Sequence, residues 1–88
     1  MVHLIAYDIF QKGRDISALE NEIKSTGTWW HHLSNVWIIE TLETPEQVHK
    51  RIGQHLQQAD RVLVVRITRE RQGWLSKEAW DWLRGRQY

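Results

Sequence analysis

The run Leu4-Ile5-Ala6-Tyr7 is apolar and closes directly on a carboxylate, Asp8, before apolar residues resume at Ile9 and Phe10. No other stretch constrains the fold as much. Residues 2–9 read as a strand, with Val2, Leu4, Ala6 and Asp8 on one face and His3, Ile5, Tyr7 and Ile9 on the other. Both faces are largely apolar, so the strand needs cover on two sides and belongs in the middle of a sheet. Asp8 has no packing reason to follow such a run. It lies at the C-terminal end of the strand, where small α/β proteins often place their chemistry. The plainer alternative is that it accepts hydrogen bonds from the loop beyond.

The rest of the chain supplies the cover. The loop from Phe10 to Asp15 contains Gly13, and Asp15 is an N-cap for a helix with Ile16, Leu19 and Ile23 on its apolar face. Gly27 is the expected C-cap. Thr28–Leu33 and Val36–Leu42 read as strands joined by the two-residue turn Ser34-Asn35, a register that opposes Trp30 to Ile39 and His32 to Trp37. Thr44-Pro45-Glu46 starts a second helix, whose expected stripe is Val48, Ile52, Leu56 and Ala59. Residues 61–68 form a fourth strand. The order β-α-β-β-α-β is that of a ferredoxin-like α+β sandwich. Residues 69–88 form a C-terminal extension with Ser76 as N-cap and an amphipathic segment, Lys77 to Leu83. This segment is expected either on the open sheet face or on a second subunit.

With 88 residues the chain makes one domain, 1–88, with a modest core that gains from oligomerisation. Six tryptophans exceed what such a core can bury, so some must face outward or into an interface. The absence of cysteine excludes disulfides and thiolate metal sites. No leading basic-then-apolar segment resembles a signal peptide, and no apolar run approaches the roughly 20 residues that span a bilayer. The expected setting is cytoplasmic, without membrane contact. A net charge of +1 is too small to argue nucleic-acid binding by itself.

Asp8 is the sharpest candidate for chemistry. One carboxylate does not complete a Mg²⁺ site, and no second acid lies near it by motif, but a two-fold dimer would bring two copies of Asp8 together. His31 and His32 point to opposite faces of a strand and cannot chelate one ion, so a structural role is expected, stacked on Trp37 or exposed at an edge. Lys12 and Arg14 near Asp8, and Arg66 and Arg69 at the end of the last strand, are candidate phosphate contacts. Arg71, Arg84 and Arg86 extend the basic set. Phosphate loops, nucleophile elbows, HExxH pairs and dinucleotide fingerprints do not occur.

The opening Tyr7-Asp8-Ile9, the Gly27 to Trp37 segment and its Leu33-Ser34-Asn35-Val36-Trp37 hairpin resemble the small CRISPR-associated endonucleases of the Cas-two family. The resemblance is closest to the compact SinR-like branch related to that family and to VapD proteins, and it spans nearly the whole chain. It implies a ferredoxin-like homodimer packed through open sheet faces. It also implies Asp8 of each subunit on a divalent metal, Mg²⁺ or Mn²⁺, and endonuclease activity on RNA or DNA. Tyr7 carries over with a structural role. Family members carry paired arginines after the first strand, where this chain reads Gln11-Lys12-Gly13-Arg14. Some relatives are structural dimers that hold an integrase; others are toxin-like ribonucleases with an antitoxin partner. Three readings follow: a metal-dependent endonuclease, a non-catalytic dimeric module that binds nucleic acid or protein through its tryptophans, with Trp80 and Trp82 foremost, and a toxin-type ribonuclease.

Overall fold

A computed structural model describes residues 1–11 and 13–88. The elements run β1 (Val2–Asp8), α1 (Ser17–Lys24), β2 (Thr28–Leu33), β3 (Val36–Glu40), α2 (Pro45–Gly53), β4 (Arg61–Arg66) and α3 (Lys77–Arg84). The chain is a small α+β domain with one four-stranded antiparallel sheet in the order β2-β3-β1-β4. β1 is central, as its two apolar faces require.

Each face of β1 enters a different core. Ile5 and Tyr7, with Trp37 and Ile39 of β3, pack against Leu19 and Ile23 of α1 and Val48 and Ile52 of α2. Val2 and Ile38 point the other way, with Trp30, and meet Ala79 and Leu83 of α3. The C-terminal extension therefore covers one end of the second face. The indole N–H of Trp30 anchors it by donating to the Ala79 carbonyl at 3.2 Å. The other end stays open: Leu33, Leu63 and Val65 are exposed there.

The start of α2 follows the sequence closely. Thr44 and Gln47 form a reciprocal capping box, with Pro45 in the first turn. Ser76 caps α3 by accepting the Ala79 N–H. Several boundaries differ. α2 ends at Gly53, a poor helix former, so Leu56 reaches the first core from the turn beyond and Ala59 is exposed. α1 begins one residue late, with Ile16 at the cap; Asp15 still serves the helix start by accepting the Ser17 N–H at 2.9 Å. β1, β3 and β4 stop at Asp8, Glu40 and Arg66, short of residues 9, 42 and 68, although the Thr41 and Ile67 N–H groups still donate to the Met1 and Val2 carbonyls, both at 2.9 Å.

Two corrections are structural rather than marginal. Gly27 is not a C-cap: Ser25 holds that place, and among the described residues only Gly13 has positive φ. Gly27 is required because a Cβ there would collide with the carbonyl oxygen of Glu40, where β2 begins to pair with β3. The hairpin register also differs. Leu33 opposes Val36 as expected, but Trp30 opposes Ile38 and Trp29 opposes Ile39. A β-bulge sets His31 and His32 against the single residue Trp37. The His31 ring stacks on Trp37 with centroids 3.7 Å apart, while His32 meets Trp30 edge-on.

Candidate functional site

Asp8 is the last residue of β1, and its Cα lies opposite Arg61, the first residue of β4. It occupies the open face, in line with Ala6 and Leu4, and is exposed. Among the described residues, none hydrogen-bonds to its carboxylate. Two clefts flank it, of about 290 and 390 Å³, and share Tyr7, Asp8 and Asn35. The hairpin turn is held against β1 here, since the Tyr7 N–H donates to the Asn35 carbonyl at 3.3 Å. Tyr7 itself is buried, and its hydroxyl accepts the Trp37 indole N–H at 3.2 Å. The motif thus puts a packed, bonded tyrosine immediately before an exposed carboxylate.

The loop after β1 is fixed by a second acid. The Asp60 side chain is wholly buried and accepts from both Arg14 guanidinium nitrogens, at 3.2 and 2.6 Å. The N–H groups of Phe10 and Gln57 complete its shell at 3.0 and 2.7 Å. Arg14 first, then these two amides, hold its carboxyl well below the usual carboxylate range. A charge buried in this way persists because it is paired and fully hydrogen-bonded. The clamp ties the β1–α1 loop to the start of β4 directly beside Asp8.

Among the described residues, the basic residues marked in the sequence do not converge on Asp8. Arg14 directs its guanidinium into the Asp60 pair and is a structural residue here rather than a free cation. Lys12 lies outside the described residues. Arg66 and Arg69 lie at the opposite end of β4: Arg66 opposes His3, whereas Asp8 opposes Arg61. The five-residue step between Arg61 and Arg66 puts about 17 Å between them at ~3.3 Å per strand residue. The cation beside Asp8 is instead Arg61, whose guanidinium donates to the carbonyls of Asp60 at 2.9 Å and Gln58 at 3.3 Å. Sequence spacing carried no signal for Arg61 or for the Arg14–Asp60 pair, because their neighbours are set by strand register and loop closure.

No protein-family model, characterised protein or solved structure matches the chain. Function has to be argued from the site. Among the described residues, no three histidine, aspartate or glutamate side chains gather in metal-holding geometry, and no helix is long and apolar enough to cross a membrane. Within one copy, Asp8 therefore offers a hard cation a single carboxylate. That is fewer protein ligands than a tight Mg²⁺ site uses unless a second copy contributes or substrate phosphates join. The tryptophans divide clearly. Trp30 and Trp37 are core, Trp80 and Trp82 pack partly against α3's own cluster, and Trp74 is 99 % exposed. The exposed tryptophans are Trp74 and, at 43 %, Trp29, whereas Trp80 and Trp82, expected foremost on a partner surface, are partly buried.

Proposed function

We propose that the chain is a ferredoxin-like, homodimeric, metal-dependent endonuclease in which Asp8 of each copy contributes to one Mg²⁺ or Mn²⁺ site. The observation that carries this is the placement of Asp8: an exposed carboxylate, unbonded by any described residue, at the end of a rigid central strand and on the sheet face that α3 leaves open. The element order and the strand order β2-β3-β1-β4 support the ferredoxin-like reading. Exposed Leu33, Leu63 and Val65 on the same face support cover by a second copy, which would set the two Asp8 side chains on either side of a two-fold axis. A cation held there stabilises negative charge developing on a scissile phosphodiester. Asp8 holds it, the Arg14–Asp60 clamp fixes the loop beside it, and Arg61 supplies positive charge at the cleft mouth. The substrate is RNA or DNA, and a genomic partner, integrase or antitoxin, belongs to the same reading.

The test is cleavage of labelled RNA and duplex DNA by the purified protein with Mg²⁺ or Mn²⁺ against EDTA. Asp8→Asn is expected to lower metal-dependent cleavage roughly a hundredfold or more, because the metal's charge stabilisation is worth several kcal/mol. Its melting temperature and oligomeric state should not change. Undiminished cleavage by the variant would sink the assignment. The fully exposed Trp74 favours one other reading, a non-catalytic module that captures a partner through that side chain. In that case the protein cuts neither substrate, and Trp74→Ala loses the partner.

A further inference from the structure

The end of β4 carries a second charged feature, remote from Asp8. Arg66, Arg69 and Arg71 gather around Tyr88. The Arg66 guanidinium donates to the main-chain oxygen of Tyr88 at 2.7 Å. The guanidinium carbons of Arg69 and Arg71 lie 5.1 and 4.9 Å from the centre of the Tyr88 ring. Arg69 and Arg71 otherwise donate to the carbonyls of Arg86 and Arg69, both at 3.4 Å. Among the described residues, none of the three has a side-chain carboxylate within 4 Å, and Arg66 alone is held by the Tyr88 main-chain oxygen. Glu70, the acid between Arg69 and Arg71, donates its main-chain N–H to the Thr68 hydroxyl at 3.2 Å and lines the same concavity as Arg66 and Arg69. By contrast Arg14, Arg51, Arg84 and Arg86 each have a carboxylate within 4 Å.

Like charges held together without a described side-chain carboxylate in pairing range cost free energy, and cation–π contacts and main-chain oxygens offset only part of it. We propose that the Arg66–Arg69–Arg71 cluster, ordered by the Tyr88 ring, is a binding site for the phosphate backbone of a single-stranded nucleic acid. Guanidinium groups match phosphate oxygens in pairs, and an aromatic ring among them suits an unpaired strand rather than a duplex. Arg66, Arg69 and Tyr88 line a concavity of about 510 Å³ together with Thr68 and Glu70, and Arg71 meets the Tyr88 ring from outside that lining. Tyr88 is a positioning residue: its hydroxyl is tied to the Leu83 carbonyl, so its ring is fixed before any ligand arrives. The choice of nucleic acid as the polyanion rests on the nuclease reading; the convergence of the arginines does not.

The test is fluorescence anisotropy with short labelled oligo-uridine and oligo-thymidine in EDTA, where no cleavage interferes. Arg69→Gln with Arg71→Gln is expected to weaken binding tenfold or more. The slope of log affinity against log salt should fall by about 1.4, at ~0.7 per single-strand phosphate. Tyr88→Ala should weaken binding, and Tyr88→Phe, which keeps the ring but loses its tether to Leu83, should recover only part of it, with the salt slope unchanged in both. Lys77→Gln with Arg84→Gln, an equal loss of charge on α3, should leave affinity within about twofold if the cluster rather than diffuse charge binds. Because binding is read in EDTA, without cleavage, failure of the catalytic reading leaves this result intact. Undiminished binding by the double arginine variant, equal loss in the α3 control, or full affinity in Tyr88→Ala would overturn the proposal.

Discussion

Single residues decide the geometry at three places: Gly27, Asp60 and Asp8. Gly27 lacks a side chain because the Glu40 carbonyl occupies the space that one would fill. Gly27→Ala should therefore destabilise the protein by about 1–3 kcal/mol, as overpacking does, through the first rung of the β2–β3 ladder. Chemical denaturation would measure it, with unchanged stability ruling out the close approach. Glycine after a helix invites a capping explanation from sequence, and here the invitation misleads: the constraint comes from residue 40, on another strand. Nothing local marks Asp60, since its partner Arg14 lies 46 residues away in the chain. Asp8 was legible because an acid stands out against an apolar run, and the structure keeps it exposed where the run ends.

At the scale of elements, caps and apolar spacing were readable, whereas lengths and registers were not. Thr44 and Ser76 both cap helices at the expected positions, because the N-cap interaction is local and uses side chains three residues apart. α2 stops at Gly53, a weak helix former, short of the end that its apolar stripe suggested. The short α3 depends on its cap and on the Trp30–Ala79 bond. Ser76→Ala should cost about 1 kcal/mol. It should also raise quenching of Trp30 fluorescence by acrylamide as the helix lifts from the second face. If quenching stays at the parent level while stability falls, α3 docks independently of its cap.

For the whole molecule, acid is the sensitive variable. Asp60 has its pKa lowered by Arg14, Glu22 by His55 and then Arg51, and Asp15 by the Ser17 amide. All three carboxyls are depressed in the folded state. Their contribution to stability is thus fully present above the unfolded values near pH 4 and is lost as pH falls through the folded ones. Asp60 is the most depressed, so its share is lost last, at the most acidic end of that window. The melting temperature should fall steeply below about pH 4. Asp60→Asn should lower it at neutral pH and flatten the acid limb. An acid limb as steep as the parent's would show that Asp60 is not what the protons attack. Glu22 and Glu43 converge on Arg51 and so join α1 to α2 over the first core. Acid thereby loosens the helix layer and the loop beside Asp8 together.

The bulge at His31 and His32 has a consequence for which tryptophan becomes core. Positions 29 and 30 are chemically identical, so composition cannot say which indole anchors α3 and which lies under Lys24. A hairpin in strict alternation from Leu33 would hand Trp29 to α3 and turn Trp30 toward the helices. One surplus residue reverses the parity, and Trp30 goes inward. The distinction between anchor and surface is written here in a count of residues rather than in their kinds.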